Sequence, residues 1–480
     1  MKKNYLYNLL YGFASFIFPL LTTPYVSRKL GVVAIGEYSF TFSLASYFAI
    51  IAVFGCHVQG QREIAYKHNY KEECTKVFYN NMLLKFCMTF LAICLYGFVC
   101  LIERKYIFLL MLQGISILAV FFDISWFFQG LEEFRLTLLR NFFIKIAGTI
   151  VIFLFVRDEQ DLWIYVLCHP LSTLLGNLSL WLCLPRYLVR LRYKPCLNRA
   201  YFMMAFELFI PILSSQIYSI TDRAMLGFIL ETTEENGYYE QAQKIMRILM
   251  TVSDSLGAVL LPRIAILFEE KAYEKITDIL DKATVMILGL TCPMMLGIMV
   301  IVNDFIPFFL GEGYEKTITL LIILSPILVI SGVCNILGLG VLIPMGRHNK
   351  ATVATIAGVF INIFLNVLFI GTYFSIGASI ASVIAEFVVF VIHLYYAREY
   401  VSVRFLAYKS VRYFLIASIM GAAVWGIQRI ICGWGNEIKI ILSISGAIIV
   451  YLAILAVIQD EIWKGYIEPV FRRFLYKDSN

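Results

Sequence analysis

Two stretches of this 480-residue chain carry charged and hydroxyl side chains at helical spacing inside apolar runs. In the first, Glu207, Pro211, Ser214, Tyr218 and Asp222 follow one another at intervals that place them in a stripe about 80° wide. The second holds Glu240, Lys244, Arg247, Thr251 and Asp254, again within about 80° and over about 21 Å of helix. A charge at mid-bilayer costs roughly 2.5–3.5 kcal/mol on insertion scales, so each of these groups asks for a reason. One reading is the wall of a wet cavity, where cations hold phosphate oxygens while hydroxyls and carboxylates bind sugar. The other makes Glu240 and Lys244 interfacial, lets Arg247 snorkel and leaves the rest as a buried structural network. Arg247 and Asp254 are the deepest members of the set. Pro211 cannot donate to the Glu207 carbonyl, which predicts a kink with a freed acceptor.

Elsewhere Asp123 falls on one helical face with Gln113 and Ser116, and Glu386 on one with Ser379, Ser382 and His393. Buried carboxyls of this kind can carry a coupling proton, because desolvation raises their pKa, or can bond helix to helix. Asn362 and Asn366, one turn apart, read as packing. Lys85 and Lys145 reach either an interface or a cleft. The five His form no cluster, and the eleven Cys sit mostly inside apolar runs without metal-ligand spacing. Neither a metal nor a cofactor is expected.

The elements that must position these groups are membrane-spanning helices. Of the residues 60% are hydrophobic and 15% charged, too apolar for a soluble domain to cover. Apolar runs recur at 5–30, 38–56, 77–101, 107–129, 138–156, 162–184, 203–228, 238–267, 284–302, 317–344, 351–370, 373–396, 411–431 and 440–458. Each is long enough to cross a hydrocarbon core of roughly 30 Å. The spacing therefore predicts an all-α polytopic membrane protein of about fourteen spans, with short loops and no inserted soluble domain. The first run is too long for a signal peptide and lacks a cleavage site, so it reads as a retained span. About 27 basic residues fall on one side against about 8 on the other, which places both termini in the cytoplasm. The formal charge of +7 is thus a topology signal, and nothing resembles a nucleic-acid patch.

An internal repeat divides the spans. Pro19, Thr22, Thr23 and Ser27 match Pro211, Ser214, Ser215 and Ser219; Gly36 before Tyr38 matches Gly237 before Tyr239. Each glycine precedes an arginine by 26 residues, Arg62 and Arg263, beside an Ile-Ala pair. The repeat predicts two parallel six-helix lobes, 1–196 and 197–400, around a central cavity, followed by two further helices and a cytoplasmic tail at 401–480.

Leu21-Thr22-Thr23-Pro24-Tyr25-Val26-Ser27-Arg28, with Gly31 and Gly36-Glu37-Tyr38-Ser39-Phe40, resembles the opening of bacterial polysaccharide repeat-unit flippases of the Wzx type. The most specific part of the likeness runs from Asp123 through Trp126, Gln129 and Gly130 to Glu132, then Arg140-Asn141 and Lys145. Asp222, Gly227, Gly237-Tyr238-Tyr239, Lys244-Ile245 and Pro262-Arg263 extend it. The resemblance implies the multidrug/oligosaccharidyl-lipid/polysaccharide exporter superfamily and its two-lobed cationic cavity. It also implies an undecaprenyl-pyrophosphate-linked oligosaccharide as substrate, turned from the cytoplasmic to the outer face of the bacterial inner membrane by alternating access. The glycan would feed O-antigen, capsule or a related polysaccharide. By position in the family, Arg28, Arg62, Arg247 and Arg263 would help hold the pyrophosphate. Glu207, Ser214, Tyr218, Asp222, Lys244 and Asp254 complete the expected cavity set, and Asp123 and Glu386 are the candidates for ion coupling. Membrane lipids, an ion gradient and a polysaccharide polymerase are the expected partners.

Two rivals keep the fold: a drug or cation antiporter, which would favour acidic and aromatic cavities, and a lipid II flippase. The mixed Lys/Arg stripes and the Trp126–Glu132 signature argue against them. A membrane glycan polymerase or glycosyltransferase typically shows a large outer loop or acidic catalytic residues in the first outer loop, which here is 31–37 with Glu37 its lone acid. The chain is therefore expected not to be an enzyme.

Overall fold

The computed structural model describes the backbone of residues 2–230, 232–431 and 433–469, and side chains there other than those of 2–16, 134, 139, 219, 252 and 254–262. Among the described residues there is no strand. The helices are α1 (Lys2–Val53), α2 (Cys56–Lys67), α3 (Lys71–Ile102), α4 (Ile107–Phe122), α5 (Ser125–Gly130), α6 (Phe134–Phe155), α7 (Leu162–Trp181) and α8 (Arg199–Ile229). There follow α9 (Glu234–Glu269), α10 (Tyr273–Phe309), α11 (Glu315–Leu324), α12 (Pro326–Asn335), α13 (His348–Ala397), α14 (Val403–Ile430) and α15 (Asn436–Val457).

Eleven helical segments among the described residues are long and apolar enough to cross a membrane, and the chain is a multi-pass membrane protein. Two of them each hold two of the expected spans. α1 breaks at Gly31 (φ 74°, ψ 177°), and α13 at Phe374 (φ 56°, ψ −135°). α9 carries more charge than the eleven, as the stripe from Glu240 onward requires. With those two divisions and α9 added, the fourteen expected spans are accounted for.

Three expectations about local structure change. Residues 31–37, read as an outer loop, are helical after the break at Gly31. The span expected at 107–129 is not one helix: α4 ends at Phe122, Asp123 is extended (φ −73°, ψ 105°), and α5 begins at Ser125. The Asp123 carboxylate takes the Ser125 N–H at 2.9 Å, the local side-chain bond by which Asp competes with helix. Asp123 therefore does not continue the face of Gln113 and Ser116. The span at 317–344 likewise divides into α11, α12 and a π-helical turn, Ile336–Leu342. In contrast, α8 runs through Pro211 as one helix.

The chain forms two compact units, residues 1–240 and 241–480. In the first, Trp126, Phe127 and Phe128 are fully buried with Ile64, Phe78 and Leu184. Glycines let the helices close on this core. A Cβ at Gly60 would stand 2.4 Å from the Trp126 ring, and one at Gly130 2.7 Å from the Gln61 carbonyl oxygen. Such approaches gain dispersion contact, which matters most where lipid is as apolar as the side chains. In the second unit the core lies around α10, with Leu288, Leu337, Tyr413 and Leu455 buried together. Tyr451 donates to the Gly289 carbonyl at 2.7 Å, and the Tyr413 hydroxyl to Asp460 at 2.8 Å, fastening α14 and α15 to this body.

Candidate functional site

Two polar assemblies stand out once the helices are placed. The first gathers at the break before α5. Lys85 on α3 is 3% exposed and donates from Nζ to the Asp123 main-chain oxygen at 2.6 Å. The Asp123 carboxylate lies 3.8 Å from His57 Nδ1, and the other ring nitrogen of His57 is 3.2 Å from Gln129 Oε1. Interrupting the helix exposes a carbonyl that a buried ammonium then satisfies. The assembly takes Asp123 and Gln129 from the sequence signature that runs from Asp123 to Glu132. His57, which no sequence spacing tied to another titratable group, belongs to it.

The second assembly joins α1, α8 and α9. Arg223 Nη1 and Glu240 Oε2 meet at 3.0 Å, and the Ser39 hydroxyl donates to the same oxygen at 3.0 Å. Tyr239 donates to Asp222 at 2.5 Å, and Asn236 Nδ2 to the Arg223 carbonyl at 2.6 Å. Asp222 and Glu240 are 5% and 3% exposed, so this end of both sequence stripes is a bonded network inside the first unit. Arg223 was not singled out by sequence, because its partner is 17 residues away on another helix.

Two glycines paired by the repeat make a reciprocal contact beside this network. A Cβ at Gly36 would lie 1.8 Å from the Thr233 carbonyl oxygen, and one at Gly237 2.1 Å from that of Val32.

The remaining stripe members are more open. Glu207 is exposed, Tyr218 half-buried, and Ser214 buried with its hydroxyl bonded to the Ile210 carbonyl at 2.9 Å. Lys244 is half-buried and Arg247 exposed; the Asp254 side chain lies outside the described residues. Arg28 and Arg62 are both exposed, but they lie toward opposite ends of the second arm of α1 and α2. The helix between Gly31 and Phe54 alone rises roughly 30 Å, so one head group cannot touch both at once. Arg62 approaches Tyr66, its guanidinium carbon 5.8 Å from the ring centre. Arg263 lines a cavity of about 400 Å³ in the second unit with Glu270, Lys275 and Asp278. On α13, Ser379, Ser382 and His393 are buried along the face that Glu386 shares. Asn366 donates to Asn362 at 3.2 Å, the packing role expected of that pair.

The sequence that forms α1 to α9 matches a described family. Its profile, polysaccharide biosynthesis protein, matches residues 1–268, more than half of the chain. The chain belongs to the polysaccharide biosynthesis protein family. Both polar assemblies, at Asp123 and at Glu240, fall within the matched residues.

Among relatives of this family member, the "Putative O-antigen transporter" of Escherichia coli strain K12 is 21% identical over 418 residues. That alignment takes in 83% of this chain and 97% of the relative. The "Probable low-salt glycan biosynthesis flippase Agl15" of Haloferax volcanii is 25% identical over 243 residues, half of this chain. The chain spans only 51% of that protein's length. Among solved structures, the lipid II flippase MurJ in an inward closed conformation is similar with a TM-score of 0.71 and 18% identity, over 98% of this chain and 99% of that one. An inward-facing multidrug resistance MATE transporter gives 0.59 and 15%, over 81% and 94%. The structural likenesses show that the chain shares its all-α fold with those two proteins. The family member is a multi-pass membrane protein.

Proposed function

We propose that the chain is a flippase for lipid-linked glycan, and that its cargo is an undecaprenyl-pyrophosphate-linked oligosaccharide repeat unit. It carries the unit from the cytoplasmic to the outer face of a bacterial inner membrane, with both termini cytoplasmic, and supplies O-antigen, capsule or related polysaccharide synthesis. The observation that carries this reading is the family match over residues 1–268, with the Asp123–Glu132 signature folded around a buried lysine. A relative aligned over nearly its whole length is named an O-antigen transporter, which supports the same cargo class.

Basic side chains serve the pyrophosphate by charge, since Arg matches phosphate oxygens in pairs. Arg62 and Arg28 act in succession, at the inner and outer ends of the second span. In the second unit Arg247 and Arg263 serve phosphate and Lys244 sugar; in the first unit Glu207, Ser214 and Tyr218 serve sugar. The bonds of Asp222 favour a structural role for it. Ion coupling falls to the Asp123–His57 assembly and to Glu386, and a polysaccharide polymerase would take the product at the outer face.

The test is complementation. In a bacterial strain lacking its own repeat-unit flippase, the chain should restore surface glycan, and lipid-linked repeat units should cease to accumulate inside. Rescue of a lipid II flippase deletion without restored glycan would refute the assignment in favour of peptidoglycan precursor. Export of cationic drugs without either would refute it in favour of an antiporter.

A further inference from the structure

In the first unit, a recess of about 410 Å³ opens where the second arm of α1 meets the starts of α4 and α7. One acid and one base line it: Glu37 from α1, and Lys105 from the 3₁₀ turn Arg104–Tyr106 that leads into α4. Gln160 joins them from the 3₁₀ turn Glu159–Asp161 that leads into α7. Glu37 is half-buried, whereas Lys105 and Gln160 are exposed. Glu37 and Lys105 act on each other through space, yet among the described residues they do not close as an ion pair. Opposite charges that share a recess without meeting leave room between them for a group that carries both signs.

The polar groups are fixed from behind. Lys105 Nζ lies 4.9 Å from the centre of the Tyr106 ring, a cation–π contact. Tyr106 is itself buried, edge-on to Phe40 with 5.6 Å between ring centres. The turn that presents Gln160 is closed by a capping box. There the Gln160 N–H donates to the Asp158 carboxylate at 3.0 Å, and the Asp158 N–H to the Asp161 carboxylate at 3.3 Å. The edge of the recess is apolar: Phe108 and Trp163 line it and are 58% and 44% exposed. From Phe108 the exposed apolar surface continues along α4 through Met111 to Leu118. Those three side chains keep within about 80° of one another over about 15 Å of helix. Tryptophan is favoured at the level where a bilayer meets water, so a polar recess here opens beside lipid.

We propose that this recess binds one phospholipid with a zwitterionic, primary-ammonium head group, of which phosphatidylethanolamine is the simplest. Lys105 takes the phosphate, Glu37 takes the ammonium, and an acyl chain lies along Phe108, Met111 and Leu118. A primary ammonium offers N–H donors that a carboxylate accepts in charge-assisted bonds. A choline head carries the same charges without a donor, and a glycerol head brings no cation for Glu37. A soluble sugar would make no use of the apolar path along α4. The inference is independent of the cargo, and the leaflet is whichever one the Glu37 end of α1 meets.

Trp163 gives a direct readout, because brominated acyl chains quench tryptophan on contact. The full chain and its Trp163→Phe variant are placed in phosphatidylcholine nanodiscs, and the difference in their fluorescence is the Trp163 signal. A minor fraction of the host lipid is then replaced by a brominated lipid carrying one of several heads. The heads are ethanolamine, N-methylethanolamine, N,N-dimethylethanolamine, choline and glycerol. Brominated phosphatidylethanolamine should quench Trp163 as though enriched about tenfold over the choline lipid, the scale of a charge-assisted bond. The methylated heads should fall between them in order, and the glycerol lipid should do no better than choline. Glu37→Gln should erase the ethanolamine preference. Glu103→Gln should keep it, since the Glu103 charge reaches Lys105 but its side chain does not line the recess. Equal quenching by every head marks ordinary boundary lipid and overturns the proposal. Stronger quenching by the glycerol lipid overturns it in favour of an anionic head, and displacement of the brominated lipid by maltotetraose in favour of a sugar. Should Glu37→Gln fail to fold, the methylated series on the native chain decides alone. Quenching that does not fall as donors are removed then overturns the site.

Discussion

Gly36 and Gly237 sit in a reciprocal contact, each glycine facing the main-chain carbonyl of the residue four before the other. The missing Cβ atoms would lie 1.8 Å and 2.1 Å from the Thr233 and Val32 oxygens. Backbone cannot move aside as a side-chain tip can. Gly36→Ala and Gly237→Ala should each destabilise by about 1–3 kcal/mol or more. Gly97→Ala, where nothing lies within 4 Å, should be neutral or slightly stabilising because it restores helix propensity. Thermal unfolding of a fluorescent fusion in detergent would rank the three. Equal midpoints for Gly36→Ala and Gly97→Ala would show that α1 and α9 do not close as described.

Arg223 and Glu240 are 2% and 3% exposed and joined at 3.0 Å. Removing either partner takes the opposite charge away from the other, at a cost of about 3–5 kcal/mol, whereas replacing both by apolar residues can be nearly neutral. Arg223→Met and Glu240→Leu should therefore each lower the folded yield in membranes, and the double variant should regain most of it. If the double variant is as poor as the sum of the singles, the pair is not a closed structural unit.

Lys85 satisfies the carbonyl that the break at Asp123 leaves without a helix partner. Lys85→Met keeps the stem and removes the donor, which should cost about 1–3 kcal/mol through the stranded acceptor. Lys85→Arg keeps a donor and should retain more stability and more glycan export than Lys85→Met. The same thermal assay with the complementation strain checks both. A Lys85→Met protein with native midpoint and native export would remove Lys85 from the assembly.

What sequence made legible and what it did not follows from the range of the physics. Apolar runs mark spans because a bilayer demands a length, and the helical period put Ser379, Ser382 and His393 on one face, as found. Gly36 and Gly237 were paired by the repeat, but only coordinates show that they touch. The hydrophobic signal passes smoothly through Asp123, so a helix break fixed by one local carboxylate bond was invisible to it. Arg223–Glu240 and His57–Asp123 are contacts between elements, which no periodicity along one element can report.

Topology can be read with two positions. Thr232 is exposed and is expected outside, whereas native Cys196 is exposed in a segment expected inside. Asn236 is a poor probe, being fully buried with its amide on the Arg223 carbonyl. In intact cells an impermeant thiol reagent should label Thr232→Cys, and Cys196 only after the inner face is opened. The opposite order would invert the chain in the membrane and move both termini outside.

Arg247 is exposed on α9, one turn from exposed Thr251, whose hydroxyl bonds the Arg247 carbonyl at 2.9 Å. Beside its bonds within the protein, an exposed arginine in this apolar chain can hold a charged cargo or contact a head group at the interface. The two explanations differ in what Lys can replace. Holding a pyrophosphate in pairs of bonds uses the planar fork, so Lys, a point charge, keeps the attraction and loses the pairing. Arg247→Lys should then support part of the surface glycan, and Arg247→Ala far less, because a desolvated phosphate without its partner is costly. Snorkelling uses only charge and reach, so under that explanation Arg247→Lys would export like the native chain. Arg247→Ala would then lower membrane abundance rather than transport per molecule. Glycan measured at matched membrane levels separates these outcomes. Full export by Arg247→Ala, alone and with Arg62→Ala and Arg263→Ala, would take the pyrophosphate away from these arginines.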